Sequence, residues 1–160
     1  MKTYIGTKFI HAEPMSRAAY NAFRGWELPA NENGADDGYL VEYLDGGQPN
    51  TSTHTGYVSW SPAEQFDNAY RETSGASFGL AVEAMKKGKK VARAGWNGKG
   101  MFLYFVPANI YKAQTDAARA HFGEDVPYLA YIAMKTAPGE VVPWLASQTD
   151  VLADDWSIVD

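Results

Sequence analysis

"KKGKKVARAGWNGKGMF", residues 86–102, decides how the second half of the chain folds. It holds six of the fourteen basic residues (Lys86, Lys87, Lys89, Lys90, Arg93, Lys99) in a chain of net charge −5. The apolar positions Phe78, Val82 and Met85 just before it share one helical face, and Gly88 ends that helix. "KKVARAGW" and "MFLYFVP" then read as strands joined by "NGKG", where Asn-Gly and Gly supply the positive φ of a tight turn. A helix running straight into an antiparallel hairpin, with no βαβ rhythm, sets the class as α+β with antiparallel sheets.

Working toward the N-terminus, "TSGAS" (73–77) is small and polar and marks the boundary between two subdomains, 1–74 and 75–160. "TYIGTKFIHAE" reads as a strand ending near Pro14. "SRAAYNAFRG" reads as a helix capped by Ser16 and stopped by Gly25, with Ala19, Tyr20 and Phe23 as its stripe. "YLVEY" and "GYVSW" form a hairpin around a polar loop. "SPAEQFDNAYRE" carries a helix start, with Ser61 as N-cap, Pro62 at the first helical position and Glu64 completing a capping box. Toward the C-terminus, "ANIYKAQTDAARAHFGED" reads as helical or partly irregular. "PYLAYIAMKT" and "EVVPWLAS" pair around "APG", and "DVLADDWSIVD" is a turn and a last strand.

Composition limits the function. There is no cysteine, which removes disulfides, Cys-zinc sites and thiol nucleophiles and fits a reducing compartment. No apolar run is long enough to span a membrane, and the first residues lack a signal-peptide pattern. The acidic balance opposes long duplex nucleic acid, whose phosphates need a broad basic face. A small anionic ligand needs only one local cluster. His11, His54 and His121 are isolated, and no P-loop, dinucleotide or nucleophile-elbow motif is present, so no cofactor and no catalytic set is expected.

Within the basic stretch, Lys86, Lys87, Lys89 and Lys90 straddle a helix C-terminus, where cations complement the dipole. Arg93 and Lys99 flank the turn instead and suit a phosphate. Trp96 offers a face on which a purine can stack, and Asn97 can read an adenine edge; both also fit a plain hairpin turn. Ser147, Gln148, Thr149 and Asp150 can bond ribose hydroxyls or a base, or only their own backbone in a turn. An Asp beside a phosphate is repulsive, so Asp150 is expected at the ribose or base end, away from Arg93. Asp154 and Asp155 are adjacent carboxylates that a solvated turn explains better than a metal does.

"FGLAVEAMKKGKKVARAGWNGKGMFLYFVP" and "PYLAYIAMKTAPGEVVPWLASQTDVLADDW" together resemble the second family of phage Thoeris anti-defence proteins. The resemblance runs from about Phe78 to Trp156. It implies a sponge, not an enzyme: a protein that binds cyclic ADP-ribose-type signals made by bacterial TIR proteins, in some relatives also cyclic oligonucleotides of CBASS systems. It further implies a homotetramer with ligand pockets between subunits, acting in the cytoplasm of the infected host. Trp96 and Asn97 fall in the family's "GWN" turn. Gln148, Thr149 and Asp150 fall in its "SQTD" segment, and Asp155 and Trp156 in its closing "DW". Residues 1–74 have no counterpart in short members and resemble a small module of other phage proteins ("RGWELP…GYLVEY…SWSPAEQFDNAYRE"). A second candidate pocket there involves Tyr4, Arg17 and Arg24. The rivals to the sponge are an enzyme destroying the signal with Asp150 or Asp155 as base, and an adaptor with Trp96 and Trp144 as interface anchors.

Overall fold

Antiparallel pairing organises both parts of the chain. The computed structural model describes residues 1–159, and these divide into two compact units, Met1–Arg71 and the residues from Glu72 onward. The fold is α+β, with short helices and, among the described residues, only antiparallel strand pairs.

The first unit runs β1 (Ile10–Pro14), α1 (Arg17–Arg24), β2 (Gly38–Tyr43), β3 (Tyr57–Pro62) and α2 (Ala63–Ala69), with β2 central in a three-stranded sheet. Ser16 caps α1 by accepting the Ala19 amide, and Gly25 ends it at φ 68°, a conformation that costs glycine nothing. Tyr20 from the helix packs with Leu40 and Val58 from the sheet, and Met15 and Trp60 close over them. Ala19 and Phe23 of the expected stripe are exposed. The β2–β3 loop is held from inside: the Glu42 carboxylate accepts the Thr55 and Gly56 amides at 2.9 Å each. The Gly56 amide above all keeps Glu42 below the usual carboxylate range.

Two expectations change here. The first strand begins only at Ile10, opposite Tyr43 at the end of β2; before it, the Phe9 carbonyl accepts a long bond from the Leu44 amide at 3.4 Å. The capping box at Ser61 is absent. Ser61 and Pro62 are taken into β3 opposite Tyr39 and Gly38, so Pro62 stays extended at the N-cap and makes no side-chain cap bond. The hydroxyl of Ser61 donates to the Pro62 carbonyl instead.

The second unit runs α3 (Phe78–Lys86), β4 (Lys90–Arg93), β5 (Phe102–Val106), β6 (Asn109–Lys112), α4 (Asp116–Phe122), β7 (Asp125–Tyr128), β8 (Tyr131–Lys135), β9 (Val141–Pro143), α5 (Gln148–Val151) and β10 (Trp156–Val159). Five strands form one sheet in the order β10-β4-β5-β8-β9. Helix α3 packs against β4, β5 and β10. Its fully buried positions are Ala81, Ala84 and Met85. Val91, Leu103, Ala133 and Trp156 are buried in the same unit. Phe78 and Val82, expected in that face, are half-buried.

Residues 109–128 are not mainly helical. They form the β6–β7 pair with α4 between them, because Ile110 and Tyr111 are matched by Val126 and Pro127 across a short helical connection. The "SQTD" segment is likewise not a simple turn but the first turn of α5. The β4–β5 connection is longer than a tight hairpin, since those strands share one paired position, Val91 with Leu103. Its positive φ falls on Gly100, not on Asn97 or Gly98.

Candidate functional site

Antiparallel pairing of β10 with β4 places Trp156 opposite Arg93. The residue before the one therefore runs beside the residues after the other. The Ala94 amide donates to the Asp155 carbonyl, and the Gly95 amide donates to Asp155 Oδ2 at 2.9 Å. Arg93 Nε completes this corner, 2.7 Å from Asp155 Oδ1. Its NH1 reaches in another direction, to Asp150 Oδ1 at 2.9 Å. One guanidinium thus ties β4 to both α5 and the turn before β10.

Asp150 is the centre of the arrangement. Its carboxylate accepts the Ser147 amide at 3.0 Å and the Ser147 hydroxyl at 2.6 Å, while the Asp150 amide donates back to Ser147 Oγ. This reciprocal cap starts α5. The Trp96 indole N–H points at Asp150 Oδ1 from 3.4 Å, and the Trp156 indole N–H donates to the Asp150 carbonyl at 3.0 Å. The side chains of Arg93 and Asp150 are only 16% and 12% exposed. Burial alone raises the pKa of Asp150, but the bonds from Ser147, Arg93 and Trp96 outweigh it and hold the carboxyl at about 2. Asp155 is lowered by the Arg93 pair first and then by the Gly95 amide, against its burial, and Arg93 is raised by Asp155 and then Asp150.

Above this ionic layer stands a cage of rings. Trp96, Trp144 and Trp156 meet edge to face, at centroid separations of 5.5 to 6.4 Å. Phe78 from α3 closes the cage against Trp144 and Trp156. Trp156 is wholly buried, whereas Trp96 and Trp144 keep part of their surface in solvent.

The site residues expected from sequence thus separate into two sets. Arg93, Trp96, Ser147, Asp150 and Asp155 come together, joined by Thr149, whose hydroxyl bonds Ser147 Oγ at 2.9 Å. Asn97, Lys99 and Gln148 are exposed. Asp150 does not lie away from Arg93. It is paired to it, because α5 begins where β4 ends in space. In the first unit, Arg17 is engaged by Glu32 at 2.6 Å and lies over Trp60. Arg24 lies 4.4 Å over Trp26 and donates to Tyr20. Tyr4 is exposed on the segment before β1, and among the described residues no contact joins it to either arginine. Sequence reasoning missed Phe78 and Trp144 as parts of the cage. Their shared feature was visible: both flank the small polar stretches that lead into helices.

Comparison with known proteins settles the second unit. The sequence model of the Thoeris anti-defense 2-like domain matches residues 76–159. The chain belongs to this family. Thoeris anti-defense 2 of Bacillus phage SP01 is 40% identical over 83 residues, which is 52% of this chain and 93% of that relative. The family segment takes in the whole Arg93–Asp150–Asp155 network and all four rings of the cage. Residues 1–75 lie outside the match. Among the described residues, no helix is long and apolar enough to cross a membrane, and no group of three or more His, Asp and Glu stands together to hold a metal.

Proposed function

We propose that this phage anti-defence family member is a sponge that captures cyclic ADP-ribose-type immune signals in the cytoplasm of the infected bacterium and holds them without turnover. The observation that carries the reading is the family segment, which spans almost the whole Thoeris anti-defense 2 relative and contains the ionic network beneath the tryptophan cage. The open parts of Trp96 and Trp144 offer stacking surface for an adenine. Asn97, next to Trp96 in the chain, and Gln148 at the start of α5 are exposed and offer paired donors and acceptors. Arg93 is neutralised by two carboxylates, so phosphates fall to Lys99, which forms no ion pair among the described residues. Asp150 and Asp155 orient Trp96 and the 94–101 loop from beneath. A carboxyl held at about 2 is a poor proton acceptor at neutral pH, which favours capture over hydrolysis by Asp150. Cyclic oligonucleotides of CBASS systems are a second ligand class for the same sponge.

Mixing the full chain with lysate of cells making the TIR signal, then releasing small molecules by heat, should yield the intact cyclic nucleotide by mass spectrometry. Loss of ligand that grows with incubation time would establish turnover instead. Trp96→Ala should weaken capture about ten- to hundred-fold, the range of one lost base stack. Unchanged affinity in that variant would move the pocket elsewhere.

The sponge is proposed to be a homotetramer. Leu129, Leu145 and Leu152 of the second unit are 86%, 91% and 75% exposed, and large apolar side chains left in water favour association. Light scattering at micromolar concentration should give about four times the chain mass of 17.6 kDa. A monomer would remove the assembly from the reading.

A further inference from the structure

Two asparagines of this chain stand directly before a glycine, in Asn33–Gly34 and Asn97–Gly98. Such a pair is chemically labile. The main-chain nitrogen of the glycine can attack the side-chain carbonyl carbon of the asparagine, and no Cβ stands in its way. The other asparagines precede Ala, Glu, Thr or Ile, whose side chains obstruct the approach. Cyclisation also needs a free asparagine side chain and a peptide plane that can rotate, so the fold decides which of the two pairs reacts.

At Asn33 the fold holds both partners still. The side-chain amide donates to Asp36 Oδ1 at 2.8 Å, and the side-chain oxygen accepts the Ala35 amide at 3.1 Å. The Gly34 carbonyl accepts the Ala18 amide at 3.0 Å, and a Cβ at Gly34 would lie only 2.9 Å from Leu28 and 3.0 Å from Ala18. The loop at Asn97 is built differently. It is pinned on either side: the Gly95 amide donates to Asp155 at 2.9 Å, the Trp96 amide to the Arg93 carbonyl at 3.3 Å, and Lys135 to the Gly100 carbonyl at 3.1 Å. Between these anchors, neither the Asn97 side chain nor the Gly98 amide enters a hydrogen bond among the described residues, and Asn97 is exposed. The positive φ of the loop lies at Gly100, so the Asn97–Gly98 peptide is not the locked centre of a tight turn. A Cβ at Gly98 would meet the Met101 thioether, which belongs to a flexible side chain and not to a fixed wall.

We propose that Asn97–Gly98 is a self-modifying site that converts Asn97 to a carboxylate as the protein ages. The Gly98 nitrogen gives its proton to water and bonds to Cγ of Asn97. The bond from Cγ to Nδ2 breaks, and the side-chain nitrogen leaves as ammonia. The five-membered imide then takes up one water. Attack at Cγ opens it to aspartate, and attack at the main-chain carbonyl opens it to isoaspartate, which lengthens the main chain by one methylene. Water is the only co-reactant. Either product makes the net charge of −5 one unit more negative. The consequence for capture rests on the sponge reading: the new carboxylate stands next to Trp96 and two residues before Lys99, where it repels a phosphate. Fresh protein is then the tight binder, and aged protein the weak one.

The full chain is kept at neutral pH, well below its melting temperature, and its proteolytic peptides are weighed on successive days. The peptide holding Asn97 should gain one dalton and split into aspartate and isoaspartate forms, at least tenfold faster than the peptide holding Asn33 changes. In urea the two rates should become alike, because the fold alone protects Asn33. Asn97→Gln, whose longer side chain cyclises far more slowly, should keep its mass. An Asn97 that stays intact, or equal rates at the two sites in the folded protein, would overturn the inference. Calorimetry with cyclic ADP-ribose then compares fresh protein, aged protein and Asn97→Asp. The last two should bind at least tenfold more weakly, with melting temperatures within a few degrees of the fresh protein. Equal affinity in all three would overturn the effect on capture. Fresh protein that binds nothing would refute the sponge reading and that effect with it, while the peptide masses, which need no ligand, decide the modification itself.

Discussion

Replacing Arg93 with Gln should destabilise the second unit by about 3 kcal/mol at neutral pH. Removing one partner of a buried ion pair typically costs about 3–5 kcal/mol, because the remaining charge is left without compensation. Here two carboxylates remain, and Asp155 is about a third exposed, which places the expected loss at the low end. In a unit of this size about 3 kcal/mol lowers the melting temperature by roughly 12–24 °C. The pH dependence is the sharper test. In the wild type, Asp150 is held at about 2 against an ordinary 3.8. That contribution is fully present above pH 4 and is lost as pH falls from 4 toward 2, about 2 kcal/mol in all. In Arg93→Gln the carboxylates repel each other, and protonation relieves them. The deficit of the variant should therefore shrink between pH 7 and pH 3. Thermal melts at pH 7, 5 and 3 read this directly, and a deficit that stays constant across that range would mean that Arg93 is not the keystone of the corner.

Trp156→Ala should be at least as damaging, by about 3–5 kcal/mol. The side chain is 0% exposed, touches the rings of Phe78, Trp96 and Trp144, and satisfies the Asp150 carbonyl. Alanine leaves a cavity and removes the shortest donor to the Asp150 carbonyl, which keeps only the long bond from the Ala153 amide at 3.4 Å. Trp156→Phe separates the two effects: it refills most of the volume but still loses the indole bond, so it should cost about 0.5–1.5 kcal/mol for that bond. Urea unfolding followed by far-UV circular dichroism distinguishes the variants. A midpoint for Trp156→Ala close to that of wild type would show that the cage is dispensable to the fold.

The α+β class was legible because helix and hairpin signals sit side by side at residues 78–106, where periodicity changes abruptly. The cap at Ser16 and the stop at Gly25 were legible for the same reason: they are local. What failed was whatever depends on a distant partner. Ser61 carries a sound capping-box pattern, yet Tyr39 claims it for the sheet. The strands of residues 109–128 are short and exposed, so each gains its identity only from the other. The site residues were found one by one, through the turn chemistry of "GWN" and "SQTD" and through the family resemblance. Their mutual bonding was not, because no local pattern says that Asp150 and Asp155 converge on one arginine.

The corner at Arg93 also imposes an order on synthesis. Its two carboxylates lie 57 and 62 residues further along the chain. At about 5–20 residues per second, roughly 3–12 s separate the emergence of the arginine from that of its partners. The first unit waits less, since its bond from Trp60 to Met15 spans 45 residues and that from Tyr20 to Val58 spans 38. For those seconds the nascent second unit holds a cation with no counter-charge and a β4 edge with no β10 to cover it. An early product ending before residue 150 would keep that edge open, and would be the species most prone to join edges with its neighbours on the same message.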